Sequence, residues 1–526
     1  MLGATGSGTR RKQKRVSYIL REEEGRHRSG INSICLSRRG DLLYSAGRDG
    51  IARGWNTGNL RSRCVRTFDE HTDWVNDVVL INNESTLVTG SSDTTMKVWS
   101  TNTADCLSTL SMHTDYVKAL AYARSKGFVA SAGLDKDVYV WDIEASKTPV
   151  SSSQAGGHSP VHKCSGHTDS VYSLATNASG NLILSGSTER VSANAIGLIR
   201  MWDPRSGERA GRLKGHTDNV RCLVMSEDGT HCVSGSSDAT IKLWDIGQQR
   251  CIQTVAVHTD SVWALAASGD LTRIFSGGRD NSVFCTEFGK NTDSTLLYKT
   301  QDPPLRLALH PDGEKLWVST TSSSLELWDF GAALARDKQQ RAKAPSIHTT
   351  TTLVRRGTFS HLPSSGHTTG PSSAITPSEP SDIQPVPLLE LPSGGIQGLP
   401  SITKFDFLES RRVVLTLNTE GIVEVWDVTL GRVLRDFGRV DFDKQRKSLE
   451  EELVVPAWCT ADCKLGSLTI NLDFPQVFAC ELYAVDAGFT CRPDTEEAKV
   501  NVGFRVVLAL FRHWRSGRKR LLAQQQ

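Results

Sequence analysis

Short runs in which apolar and polar residues alternate recur along most of this chain. The stretch from Gly215 to Asp245, GHTDNVRCLVMSEDGTHCVSGSSDATIKLWD, holds three of them: Val220 to Met225, His231 to Ser234, and Thr240 to Trp244. Their length and their period of two predict β-strands, and Asp228-Gly229 and Ser237-Asp238 supply turn chemistry between them. A hairpin stack of this size cannot bury its own apolar faces. The pattern therefore predicts copies that pack side by side.

Copies are present at a constant spacing. A His precedes a Trp by 28 residues at His27 and Trp55, His71 and Trp99, His113 and Trp141, and His216 and Trp244, and His258 keeps that distance to Thr286. An Asp stands six residues before each Trp position (Asp49, Asp93, Asp135, Asp238, Asp280), and a hydroxyl four before each Asp (Ser45, Thr89, Ser131, Ser234, Ser276). A repeat of about 42 residues that opens on Gly-His and closes on Trp-Asp is the mark of a WD-repeat β-propeller, four strands to a blade. The expected fold is all-β: an eight-bladed propeller with a small C-terminal β appendage, with seven blades as the alternative count because blades 7 and 8 lack the His.

Taken in order, residues 1–15 read as a mobile basic tail, in which Arg10 to Arg15 is either a nuclear-import address or a solvated run of charge. Residues 16–330 hold blades 1 to 7. Blade 4 is irregular, because His167 and Trp202 are 35 residues apart while Ser185 and Glu189 keep the hydroxyl and acid positions. The excess, Val191 to Gly197, is expected as a surface loop between the second and third strands. Blade 7 has Gln301 in place of His but still closes on Trp328-Asp329. Residues 331–395, rich in Ser, Thr, Pro, Arg and Lys, are expected to be a disordered excursion between blades. Residues 396–437 supply blade 8, ending on Trp426-Asp427. Its outer strand is assigned to Val16 to Leu20, with Val433 to Phe437 as the alternative. Residues 438–526 form an ancillary region with strands at Val440 to Phe442 and Leu468 to Leu472, a charged linker from Asp443 to Glu452, and an irregular end from Val502 that reads as an amphipathic helix or as no fold.

Net charge is +3 over 526 residues, which gives no global argument for nucleic acid. The 12 cysteines are scattered singly, and Cys35, Cys222 and Cys285 fall within predicted strands as core thiols. Cys459 and Cys463 have no His companions of metal-site spacing, so zinc is not expected, nor is any cofactor. No apolar run is long enough to span a bilayer, and no leader is evident. The expected setting is a reducing one, nucleus and cytoplasm.

Ser, His and Asp within one unit invite a hydrolase reading, but the trio recurs at one spacing in blade after blade and no nucleophile elbow is present. Buried, mutually satisfied polar groups explain it better. His71, Thr89, Asp93 and Trp99 are expected to form such a network, as are His113, Ser131, Asp135 and Trp141, and His216, Ser234, Asp238 and Trp244. The protein is not expected to be an enzyme. Trp202-Asp203-Pro204-Arg205 resembles the adaptor-docking sequence of substrate receptors of cullin-RING ubiquitin ligases, a second functional reading beside the bland one of a strand end and turn. Candidate binding positions come from the repeat itself. Five residues after each His stand Asn32, Asn76, Lys118, Tyr172, Arg221 and Trp263; one before each acid stand Arg48, Ser92, Leu134, Thr188, Ser237 and Arg279. Trp74 and Tyr116 sit three after their His residues. Arg, Trp and Tyr on a rigid face are what protein-binding hot spots use. The candidate partner-binding set is therefore Arg221, Trp263, Arg279, Lys118, Tyr172, Trp74, Tyr116 and Arg48.

An ordered string of segments, among them HTDWVNDVVL, HTDYVKALAYA, LSGSTE, WDPRSG, LKGHTDNVR, SGGRD and IQGLPSITKFDF, resembles the WD-repeat activators of ubiquitin-specific proteases from about Val16 to Phe489. The resemblance implies a non-catalytic scaffold that grips the fingers subdomain of a ubiquitin-specific protease and raises its turnover allosterically, with room for further WD-repeat partners. It places the family's contact residues on Arg221, Trp263 and Arg279. Two departures stand out: the seven-residue excess in blade 4, and the absence of the SUMO-like domains with which the family continues. The second suggests a truncated or alternatively spliced product.

Overall fold

The computed structural model describes residues 16–20, 25–58, 63–146, 160–192, 195–289, 292–343, 386–409, 411–449, 458–473, 476–479, 481–483, 499–501, 504–506 and 508. The basic tail, residues 1–15, lies outside them, as do residues 344–385 of the long insertion and the end of the chain from residue 509.

Eight four-stranded antiparallel sheets form among the described residues. Seven lie in a compact unit, Gly30–Gln397, and the eighth lies in a second unit made of Met1–Ser29 and Gly398–Gln526. In the first unit each sheet starts at an inner strand: Ile31–Leu36, Val75–Ile81, Val117–Ala123, Val171–Thr176, Val220–Met225, Val262–Ala267 and Pro304–Leu309. β-branched and apolar residues fill these strands because both faces of every sheet are covered by neighbouring sheets. Blade 2 meets blade 3 through Val88, Val98, Val117 and Leu120, and blade 5 meets blade 6 through Val233, Ile241, Val262 and Leu265.

The same kind of cluster joins the last blade to the first. Ile31, Ile34 and Trp55 of blade 1 pack with Trp317, Leu325 and Ile396 of blade 7. The seven sheets of this unit therefore pack round on one another, with blade 7 against blade 1. A Trp-Asp ending marks a four-stranded sheet, and Trp426-Asp427 ends the third strand of one in the second unit.

The long insertion also sits differently from its expected place. The outer strand of blade 7 is Gly394–Ile396, paired with Leu325 to Leu327, so the excursion lies inside blade 7 and not between blades. Its first part is ordered: Gly331–Lys343 is a helix. The run ALARDKQQRAK is rich in helix formers. Leu334 and Phe330 anchor it in the core beside Phe275, and Lys338 and Arg341 pair with Glu287 and Asp293 of blade 6. In blade 4 the expected loop is in part a ribbon, Arg190–Ser192 against Ala195–Ile196, and the main sheet continues undisturbed from Ile183–Ser187 to Ile199–Trp202.

In the second unit the four strands are Ile402–Phe407, Val413–Asn418, Val423–Asp427 and Arg432–Gly438. The outer strand is thus the segment around Val433 to Phe437. Val16–Ile19 pairs instead with Thr469–Leu472, which pairs in turn with Cys459–Asp462. Val440 to Phe442 is not a strand. Phe442–Ser448 is a short helix capped by Asp441, whose carboxylate accepts from the Lys444 N–H, and it occupies most of the expected linker. Leu20, Trp426, Trp458 and Ile470 form this unit's core.

Candidate protein-docking face

In blades 2, 3 and 5 the recurrent His, hydroxyl, acid and Trp side chains lie within hydrogen-bond distance of one another. In blade 2 the Trp99 indole N–H donates to the Thr89 hydroxyl (2.9 Å), which lies 2.7 Å from Nε2 of His71, while Nδ1 of His71 lies 2.7 Å from the Asp93 carboxylate. The indole needs an acceptor, so the hydroxyl proton goes to Nε2 and His71 carries its own proton on Nδ1 toward Asp93. In blade 3 the corresponding distances through Trp141, Ser131, His113 and Asp135 are 2.8, 2.7 and 2.8 Å. In blade 5, through Trp244, Ser234, His216 and Asp238, they are 2.8, 2.6 and 2.8 Å. Burial pushes His216 below its ordinary value against the raising effect of Asp238, so the ring is neutral at pH 7. Burial alone would raise Asp93 and Asp238, but the bonds from His71 and His216 and from Thr95 and Thr240 outweigh it and hold both acids well below the usual carboxylate range.

Departures from the pattern are compensated locally. Blade 4 has Glu189 for Asp; it reaches His167 at 3.2 Å and is clamped by Arg200, at 3.0 Å from Nε and 2.6 Å from Nη2. Blade 7 has Val318 opposite Glu326, where other blades carry the hydroxyl, and its Trp328 indole donates to Glu326 at 2.9 Å. Tyr298 stacks flat on that indole, with ring centroids 3.9 Å apart.

These networks fix the loops from which the candidate partner-binding residues emerge. In all seven ring blades the inner strand carries a β-bulge next to its first residue, at Asn32, Asn76, Lys118, Tyr172, Arg221, Trp263 and Leu305. A bulge re-aims its side chain off the sheet. The residue before each acid is tied down as well: the N–H of Arg48, Ser92, Leu134, Thr188, Ser237 and Arg279 donates to the carbonyl of Gly30, Trp74, Tyr116, Ser170, Asn219 and Ser261 respectively. Both series selected from the repeat therefore belong to one rigid face.

Six of the eight candidates form three cation–aromatic pairs. The Arg48 guanidinium lies over Trp74 at 5.2 Å, Lys118 over Tyr116 at 5.6 Å, and Arg221 over Tyr172 at 4.7 Å. Nε of Arg48 donates to Asn32 (2.8 Å), Nε of Arg221 to Ser237 (3.0 Å), and Nζ of Lys118 to Asn76 (3.3 Å). Burial, then the nearby charges of Arg48 and Arg221, push the Lys118 ammonium down to about 8. Trp263 is half-buried, and Arg279 is exposed, 3.8 Å from Asp260. Arg205 of the Trp-Asp-x-Arg sequence folds its guanidinium back on Asp203, at 2.9 and 3.1 Å.

The repeat left out Arg306, one residue past the blade 7 bulge, which approaches the buried Asp77 to 4.0 Å. It stands where other blades have Ser33, Asp77 and Cys222, a position that neither series samples. Burial raises the thiols of Cys35, Cys222 and Cys285 to about 12, so none is a thiolate at neutral pH. Among the described residues no group of His, Cys, Asp and Glu could hold a metal ion, and no helix is long and apolar enough to cross a membrane.

Six segments match the WD domain, G-beta repeat model: residues 21–56, 62–100, 104–142, 158–191, 207–245 and 249–285. Among solved structures, one titled "Structure of U3-55K" is 18% identical, with a TM-score of 0.48 over 58% of this chain and 91% of that one.

Proposed function

We propose that this chain, whose sheets form a WD-repeat β-propeller, is a protein-interaction scaffold and, more specifically, the non-catalytic activating subunit of ubiquitin-specific protease complexes, in the manner of WD repeat-containing protein 48. The reading is supported by the ordered string of motifs quoted above. The observation that carries it furthest is the placement of Arg221 and Trp263 on consecutive bulges of blades 5 and 6, with Arg279 exposed on the same face. Rigid Arg and Trp side chains bind a partner without a large ordering cost.

Activation needs no catalytic group from this chain. If the face binds the protease's active arrangement more tightly than its idle one, it shifts the protease toward turnover. The protease would present acceptors to the guanidinium groups of Arg221 and Arg279 and an apolar surface to Trp263. Binding of a ubiquitin-specific protease to the immobilised chain tests the surface. Trp263→Ala and Arg279→Glu are each expected to weaken binding about tenfold or more. Unchanged affinity in both variants would remove this surface from the proposal.

A further inference from the structure

The face opposite the bulges carries a crevice between blades 5 and 6 with a volume of about 490 Å³. It lies at the far ends of the inner strands Val220–Met225 and Val262–Ala267, where each turns into the next strand. Its floor is apolar, made by Leu243, Leu271 and Phe288, and its rim carries Glu227, Asp228 and Asp270. No lysine or arginine lines it among the described residues.

Leu271 is the unusual member. The turn after the inner strand is closed in four other ring blades by a glycine in the left-handed region: Gly40 (φ 76°), Gly180 (φ 64°), Gly229 (φ 76°) and Gly313 (φ 72°). Each donates its N–H to the carbonyl three residues before, and Leu271 makes the same bond to Ser268. Leu271 holds φ 54°, a conformation that disfavours any residue with a Cβ. In return its side chain packs with Ile274, Leu265 and Val233 and covers the bottom of the crevice. Hydrogen bonds from Ser226 and Thr230 keep Asp228 at about 2, and those from Ser268 and Thr272 do the same for Asp270, so both rim acids are charged at any physiological pH. Glu227 is exposed beside them.

We propose that this crevice is a second docking site, for an extended peptide segment of another protein that presents a large apolar side chain next to a lysine or arginine. The volume falls in the range of pockets that enclose a ligand. The apolar side chain would cover Leu243, Leu271 and Phe288, and the basic head would lie among the rim carboxylates, with its stem along the apolar wall. The crevice lies on the other face from the bulges, so this proposal does not rest on the protease reading.

Selection of random phage-displayed dodecapeptides on the immobilised full chain tests it, followed by fluorescence polarisation of the enriched peptides. The enriched sequences are expected to pair Lys or Arg with Leu, Ile, Phe or Trp. Their affinity should fall about fivefold to tenfold in Glu227→Lys and with added salt. It should fall by at least as much in Leu271→Gly, which keeps the turn as the other blades build it and removes the floor. Trp263→Ala should leave it unchanged. Enriched peptides without a basic residue, or equal binding to Glu227→Lys, would overturn the proposal. So would a dimer, seen by sedimentation, that Glu227→Lys dissolves, since the occupant would then be a second copy of this chain.

Discussion

A hydroxyl such as Ser234 is worth more than its size because two groups depend on it. It accepts the Trp244 indole N–H at 2.8 Å and satisfies Nε2 of His216 at 2.6 Å, all out of contact with water. Ser234→Ala should cost about 1–3 kcal/mol, the penalty of leaving buried polar groups unpaired, and lower the melting temperature accordingly. The same network sets the response to acid. Burial depresses His167 and His216 below 6.5, so the unfolded chain binds protons first as pH falls through that value. Stability should decline below about pH 6.5 and decline further below about 3.8, where the depressed carboxylates of Asp93 and Asp238 lose their contribution. A melting temperature measured from pH 8 to pH 4 that stayed flat would contradict this account of the His rings.

Single blades show how far the sequence pattern could be read. Blades with all four network residues were legible, because four side chains at fixed spacing can meet only when their strands pair in one register. The bulge series was legible for the same reason: it keeps a constant distance from the His. What lay beyond the pattern was every pairing between segments far apart in sequence. Gly394–Ile396 completes blade 7 from the far side of the insertion, and Val16–Ile19 pairs with Thr469–Leu472, and neither carries a local mark of its partner. Blade 4 was legible in its spacing but not in its chemistry. Arg200 stands where blades 2 and 5 have Lys97 and Lys242, and it answers the longer acid Glu189. Arg200→Ala leaves that buried carboxylate without its cation and should cost about 3 kcal/mol. The double variant Arg200→Lys with Glu189→Asp, which restores the residues of the other blades, should recover most of the loss in thermal melting.

For the whole molecule, closure decides what can be rigid. Ile31 and Ile34 pack on Trp317 and Leu325, so no blade of the ring leaves a face uncovered, and each loop on the bulge face is held by blades on both sides. A face of that kind can favour one arrangement of a partner over another, which is what activation without catalysis requires. The measurement that tests this most directly is the turnover of a ubiquitin-specific protease on a fluorogenic ubiquitin substrate, with and without saturating full-length chain. A higher kcat is expected with the chain, and loss of that rise with Trp263→Ala or Arg279→Glu at concentrations where the wild-type chain saturates. No rise with the wild-type chain, or a full rise with both variants, would contradict it.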